Sequence, residues 1–284
     1  MSCWAELDSI KTTTSSNLPL AAYQAHYGNT SNFGLQEQIE FNRHELISTY
    51  TEWSLTMPTD KLIAIAGVAE LVQTRSKSSY IVSLWSSVRP EFGLLWRVKG
   101  TCGEKQMQYC APSWSWASVE GRIEILPKVD FAHVHLKEGR IGFKARVEQV
   151  NVMYQGQSVT DTKRLVNTAF LDITEQVAEV YSCDSLSRSV ILADSRRCAR
   201  TKLNFFPDWV LFAQSPIDQL LALRVMTVRG PSTVTTFGMV LMLKTGEELP
   251  VKYERVCLFS VLHNKNYDIE SRYKGWNQQT IRII

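Results

Sequence analysis

The chain has 284 residues, of which 44% are hydrophobic and 21% are charged. This is the composition of a folded globular protein, and it excludes a disordered, collagen-like or low-complexity chain. The 31 Lys and Arg residues nearly balance the 28 Asp and Glu residues, so the charge gives no reason to expect a nucleic-acid partner. The longest nearly apolar stretch, residues 62–72, is too short to span a bilayer, and we expect no membrane partner.

Residues 1–35 are polar and rich in turn-forming residues, which predicts an irregular N-terminal segment. Such a start is typical of a chain that begins part-way through a larger architecture. The segment lacks the basic and apolar regions of a secretory signal, and the six cysteines have no regular spacing. We therefore expect reduced thiols and a cytoplasmic protein.

A helical pattern begins at residue 36. One face collects apolar side chains at steps of three and four residues: Ile39, Leu46, Ile47, Tyr50 and Trp53. This first helix is expected to end at Met57, because the residue before a proline avoids helical geometry.

A second helix is predicted over residues 60–69, which are apolar nearly all round as in a buried core helix. Thr59 is placed to cap this helix, and Asp60 in the first turn is favoured by the positive end of the helix dipole. We expect Asp60 and Lys61 to serve helix capping and a salt bridge at the junction with neighbouring elements, and not catalysis.

A third helical segment is predicted before Pro90. Its apolar face contains Ile81, Leu84, Trp85 and Val88. Residues 36–118 are therefore predicted to form a helical region.

From residue 119 onwards the hydrophobic period changes to two. Residues 140–148 alternate without a break, as in a strand with one buried face. Five further strands are predicted, at residues 189–193, 209–214, 220–228, 234–243 and 253–262. Few helical patterns separate these strands, which favours antiparallel pairing. We predict an α+β fold in which the N-terminal helical part packs on a C-terminal antiparallel β-rich sandwich or open barrel, residues 119–284.

Two tryptophans stand two residues apart in APSWSWAS, residues 111–118. In extended backbone Trp114 and Trp116 would share one face. We interpret them as the packed junction between the helical and β parts; a recognition surface that stacks on a carbohydrate or a partner is the alternative. Trp85 and Trp96 are further candidate structural or interaction residues.

Catalytic motifs are missing from the sequence: it contains no G-x-S-x-G elbow, no phosphate-binding P-loop and no dinucleotide fingerprint. We assign no catalytic, cofactor or metal residue and expect a protein that is not an enzyme. One alternative is a metal-assisted enzyme that uses His133 and His135, which would share one strand face. Another is a weak nucleic-acid-binding module that uses the basic run at residues 196–202.

Several stretches form an ordered set along the chain: YTEWSLT (50–56), TDKLIAIAGVA (59–69), LW (84–85), LLW (94–96), APSWSWAS (111–118), FGMVL (237–241) and YERV (253–256). This set resembles the region that follows the HET domain in fungal heterokaryon-incompatibility proteins. The resemblance is strong over about residues 40–120 and loose beyond. The hallmark of the HET domain itself, an LSY.WG segment, does not occur in this sequence.

The resemblance implies the downstream part of a protein of fungal non-self recognition, in which fusion of incompatible cells triggers programmed cell death. The toxic output is credited to the HET effector domain, which this chain lacks. The implied role is a non-catalytic regulatory or interaction region, with a protein or the missing HET domain as its partner and with no cofactor.

Overall fold

The computed structural model describes residues 46–53, 57–76, 79–85, 89–102, 106, 108–126, 141–154, 166–184, 189–192, 202–209, 220–244, 250–264 and 276–284. The irregular N-terminal segment, and the part of the first helix expected before residue 46, lie outside these ranges. Residues 46–50 are helical, as predicted, but residues 51–53 form turns, so the helix ends before the predicted boundary at Met57.

The second predicted helix is confirmed as α1, Lys61–Ser76, which is longer than the pattern indicated. A 3-10 turn, Pro58–Asp60, leads directly into it, and the Lys61 N–H donates to the Pro58 carbonyl. Thr59 lies inside this turn, with its hydroxyl 3.5 Å from an Asp60 carboxylate oxygen. The predicted cap at Thr59 is therefore wrong, because the chain enters the helix already coiled.

The third predicted helix is wrong. Its place is taken by a tight hairpin of two strands, β1 (Tyr80–Ile81) and β2 (Leu84–Trp85). The two turn residues, Val82 and Ser83, have φ angles of 45° and 82°, the left-handed geometry that a two-residue hairpin requires. A left-handed β-branched residue is uncommon, so this turn had no recognisable sequence signal.

The rest of the predicted helical region up to residue 118 is also not α-helical where the structure describes it. A 3-10 turn spans Pro90–Leu94 and a second one spans Trp116–Ser118. The strand β3 (Trp96–Val98) pairs antiparallel with β4 (Ile123–Ile125). The APSWSWAS stretch therefore lies in turns between β3 and β4 instead of in an extended strand.

The remaining strands form one nine-stranded sheet. Their bounds are β5 Ile141–Phe143, β6 Arg146–Tyr154, β7 Val166–Asp184, β8 Ser189–Leu192, β9 Lys202–Pro207, β10 Leu220–Arg229, β11 Thr233–Lys244, β12 Lys252–Asn264 and β13 Asn277–Ile283. The β-rich C-terminal part predicted from the sequence is confirmed. The predicted strand at residues 209–214 falls mostly outside the described ranges.

This sheet closes on itself. Following the paired strands gives β7, β8, β9, β12, β11, β10 and then β7 again, with every pairing antiparallel. The 13-residue strand β12 also pairs in parallel with β13, which in turn pairs with residues 171–177 in the middle of β7. On its other edge β7 pairs with β6 and then with β10.

The longest strand, the 19-residue β7, was not predicted from the sequence. Its inward positions do alternate, but Glu175 is one of them and breaks the apolar pattern. The alternation at residues 140–148 also does not form one continuous strand. The chain turns at Lys144 and Ala145, whose N–H groups both donate to the Val225 carbonyl.

The middle of the sheet is buried on both faces. In β10, β11 and β12 the consecutive residues 222–227, 236–241 and 255–259 are all buried, although neighbours along a strand point to opposite faces. One continuous hydrophobic cluster joins these strands to Tyr50, Leu62 and Trp114. Gly238 in β11 permits this density, because a Cβ there would overlap the Leu223 backbone oxygen and the Phe259 ring.

Candidate functional site

The four tryptophans singled out from the sequence are all buried. Trp96 and Trp114 are fully enclosed, Trp116 is 1% exposed and Trp85 is 4% exposed. A stacking platform requires an accessible ring face, so this alternative is excluded for Trp114 and Trp116.

The centre of the buried region is Arg255 in β12, whose side chain has no exposed surface. Its Nε donates to Asp208 Oδ2 at 2.9 Å and its Nη2 donates to Asp208 Oδ1 at 3.2 Å. The same guanidinium donates to the backbone carbonyls of Leu94 and Trp96 and lies over the Trp96 ring, 3.5 Å from its centroid. Arg255 therefore fixes β12 to the segment that leads into β3.

Ser113 makes a second connection to β12. Its Oγ accepts from the Arg255 backbone N–H at 2.9 Å, and its hydroxyl and its own N–H both donate to the Ile284 carbonyl. Beside it, Trp96 Nε1 donates to the Trp114 carbonyl at 3.0 Å. We refer to Trp96, Ser113, Trp114, Asp208 and Arg255 as the arginine cluster.

The arginine cluster joins stretches that lie far apart in sequence. LLW at 94–96, APSWSWAS at 111–118 and YERV at 253–256 each contribute to it. These are three of the stretches that carry the resemblance described above. Sequence reasoning identified both tryptophans but missed Arg255 and Asp208, because an ion pair formed across 47 residues leaves no spacing to recognise.

The start of α1 makes a neighbouring junction. Lys61 donates through Nζ to the Val119 carbonyl and forms an ion pair with Glu120 at 2.9 Å. The salt bridge predicted for Lys61 is therefore present, whereas Asp60 is exposed. Tyr50 donates to the Lys61 carbonyl at 2.9 Å and packs edge-on against Trp116, with ring centroids 5.8 Å apart.

Burial raises the pKa of Asp208 from 3.8 to about 6, although the neighbouring Arg255 guanidinium lowers it. For the Asp208 carboxyl group, the loss of hydration therefore outweighs the attraction of the Arg255 guanidinium. The ion pair specifies that the segment of Asp208 packs against β12. It is a poor candidate for proton transfer, because both side chains are fully buried.

A cleft of about 630 Å³ lies next to the arginine cluster. Its lining is aromatic at Tyr109, Phe170 and Trp209, and it carries both basic and acidic side chains: Lys244, Lys252, Arg282, Glu120, Asp208 and Glu254. This volume lies within the range of small-molecule sites.

Two titratable groups at the cleft are held in their neutral forms. Burial raises the pKa of Tyr109 to about 12. Burial raises the pKa of the Cys110 thiol; Lys61 lowers it and Glu120 raises it further. Because the thiolate is the reactive form, Cys110 is not an activated nucleophile.

The residues of the two alternative hypotheses lie almost entirely outside the described ranges. This applies to His133 and His135 and to the basic run at 196–202, of which only Lys202 is described, at the start of β9. Within the ranges that are described, no group of three or more His, Cys, Asp or Glu side chains is arranged to hold a metal ion. No helix in the same ranges is long and apolar enough to cross a membrane.

Comparison of the chain with protein-family models, with curated proteins and with solved structures finds no match.

Proposed function

We propose that this chain is a non-catalytic regulatory and interaction region of a fungal heterokaryon-incompatibility protein, acting on a HET effector domain. The observation that carries the proposal is the convergence of LLW, APSWSWAS and YERV in the arginine cluster. Stretches that pack into one buried cluster depend on each other. A fold in common with heterokaryon-incompatibility proteins therefore explains why these stretches occur in the same order in this chain.

The polar groups of this cluster support a scaffold rather than an enzyme. Arg255 and Ser113 use their hydrogen bonds on backbone groups and on Asp208. Side chains used in this way hold segments together.

The proposed docking surface is the exposed side of α1. Gly67, Glu70 and Thr74 are exposed and follow each other at steps of three and four residues, so they share one face. The half-buried Ile63 lies one turn earlier on the same side. We propose that the effector domain packs there, with the helical part in turn packed on the β-rich part.

The cytoplasm is the proposed compartment. Cys102 and Cys110 are free thiols, which is the form that a reducing compartment maintains.

The test is co-expression in a fungal host with a HET effector domain supplied on a separate chain. We expect the two to co-purify and the growth arrest caused by the effector to change. The substitutions E70R and T74R together should abolish co-purification, because two bulky cations would meet the docked surface. The matched control places two arginines on the exposed part of β13, as N277R and Q279R, and should leave co-purification intact.

Two results would overturn the proposal. One is a wild-type chain that neither co-purifies with the effector nor changes growth. The other is equal loss of binding in both double variants, which would show that added charge and not the α1 surface is responsible.

A further inference from the structure

The cleft next to the arginine cluster lies between two different parts of the fold. One wall is the stretch between β3 and β4, which contributes Gln108, Tyr109 and Glu120. The other wall is the nine-stranded sheet, which contributes Phe170 of β7 and Arg282 of β13. A concave site with aromatic and polar groups from two elements is typical of small-molecule binding.

The charged side chains of the cleft are largely compensated within the protein. The buried Asp208 is paired with Arg255. Three further ion pairs lie at the cleft: Lys244–Glu254 at 3.8 Å, Arg282–Asp172 at 2.7 Å and Lys61–Glu120 at 2.9 Å. A ligand with a net charge would lose its hydration and would have to compete with these pairs. The cleft therefore favours an uncharged ligand.

The ion pairs leave hydrogen-bonding positions unused. Among the described residues, the two partners of Glu120, Lys61 and Gln106, both contact its Oε1. A carboxylate offers about four lone-pair sites, so Oε2 can accept from a ligand. Arg282 donates to Asp172 through Nε and Nη2, and a guanidinium has further N–H donors. Hydroxyl groups can both donate to the carboxylate and accept from the guanidinium without breaking either ion pair.

The apolar lining suits the carbon skeleton of a ring. Tyr109 lines the cleft and is 48% exposed, so a ligand can reach it, in contrast to the enclosed Trp114. Trp209 and Ala169 are buried residues that add apolar surface to the same cleft. The C–H groups of a saturated ring can pack against such surfaces while its hydroxyls contact the polar groups.

We infer that this cleft binds a neutral polyhydroxylated ring of the sugar type, with hydroxyls hydrogen-bonded to Glu120 and Arg282 and with C–H groups packed against Tyr109. The inference does not depend on the function proposed above, because none of these three side chains lies on α1. It also uses no residue of the arginine cluster.

The test measures binding to the full chain by calorimetry, with rings of similar size. The neutral probes are methyl β-D-glucoside, methyl β-D-galactoside, methyl α-D-mannoside and myo-inositol. Two charged probes carry a carboxylate or an amine at carbon 6 of the glucoside, and cyclohexylmethanol lacks the ring hydroxyls. We expect at least one neutral polyhydroxylated probe to bind more tightly than both charged probes, and we expect cyclohexylmethanol not to bind.

E120Q should weaken binding of the best neutral probe about tenfold, because an amide replaces a carboxylate acceptor. E148Q is the matched control: it removes the same charge from another ion-paired glutamate, which does not line the cleft, and should leave binding unchanged. Y109L should weaken binding about fivefold through loss of the aromatic contact. This variant keeps the test decisive if E120Q fails to fold without its ion pair to Lys61.

Absence of binding of all the neutral polyhydroxylated probes would overturn the inference. It would also be overturned by a charged probe, or by cyclohexylmethanol, that binds as tightly as the best of them. Equal effects of E120Q and E148Q would contradict the contact to Glu120. A Y109L variant that binds as tightly as the wild type would contradict the contact to Tyr109.

Discussion

The guanidinium carbon of Arg255 lies 3.5 Å from the centroid of the Trp96 ring, and both side chains are fully buried. The same arginine donates to the backbone carbonyl of Trp96. Trp96 is therefore held by its ring and by its backbone, and through it β3 and β4 are fixed to the nine-stranded sheet. Only a planar cation with several donors can make both contacts at once, so lysine would not replace this arginine.

Replacement of Arg255 by methionine should lower the free energy of unfolding by about 3–5 kcal/mol, because it leaves the buried Asp208 carboxylate without its partner. The double variant D208N/R255M should lose less than R255M alone, because no charge is then left buried. Urea denaturation of the wild type, both single variants and the double variant measures this coupling.

The control for this cycle is R282M, which breaks the Arg282–Asp172 pair at partly exposed side chains. It should cost on the order of 1 kcal/mol. A double variant as unstable as the sum of its single variants would show that Arg255 and Asp208 act independently.

The stability of the protein should depend on pH through Asp208. Burial raises the pKa of this carboxyl group from 3.8 to about 6, so the folded protein binds the proton more tightly than the unfolded chain does. Its contribution to the free energy of unfolding is therefore largest below about pH 4, declines as the pH rises through about 6, and is constant above that. D208N cannot titrate and should lack this decline. Denaturation of both proteins at about pH 4 and about pH 7.5 tests the prediction, and parallel changes in the two would contradict it.

The buried tryptophans should differ in their tolerance of phenylalanine. Trp114→Ala and Trp116→Ala should each destabilise the chain by roughly 3–5 kcal/mol, as for other buried aromatic residues. W116F should cost much less, because Trp116 Nε1 has no hydrogen-bond partner among the described residues. W96F should cost more than W116F, because it leaves the Trp114 carbonyl without a donor.

Melting temperatures of the four variants are the measurement. Unchanged melting of both alanine variants would contradict the packing of these side chains. Equal melting of W96F and W116F would show that the hydrogen bond from Trp96 contributes nothing.

Gly238 should not tolerate alanine. A Cβ at this position would overlap the Leu223 backbone oxygen, which cannot move without disturbing the β10–β11 pairing. We expect a loss of roughly 3 kcal/mol for G238A. G67A is the control: it adds the same methyl group to an exposed position of α1 with no atom within 4 Å, and should stabilise by about 0.5–1 kcal/mol. A G238A protein as stable as G67A would refute the close packing of β11.

The sequence predicted elements whose hydrophobic period was unambiguous. α1 and the strands β8, β10, β11 and β12 lie where the pattern placed them. The hairpin β1–β2 was mistaken for a helix because Ile81, Leu84 and Trp85 are spaced by three and four residues. In a two-residue hairpin the same spacing arises from pairing, since Ile81 lies opposite Leu84 and Tyr80 lies opposite Trp85.

The arginine cluster was only half predictable. Trp114 stood out together with Trp116, which lies outside the cluster, because two large apolar residues in a short loop have to be buried by other elements. Arg255 and Asp208 gave no such signal, because charged residues are expected at the surface and their burial depends on a partner distant in sequence. Glu175 hid β7 for the same reason: it is buried against Arg224 of β10 at 3.0 Å.

The closed path of strand pairing has a consequence for how the protein is made. On the ribosome β7 appears about a hundred residues before β13, its partner along residues 171–177. The central residues of β10, β11 and β12, which are buried on both faces of the sheet, are synthesised in between. They stay exposed until β13 is available to complete the sheet. Folding that depends on late pairing of strands far apart in sequence is slow, and it leaves aggregation-prone hydrophobic segments exposed. A chain of this design should depend on molecular chaperones during synthesis more than its size alone would suggest.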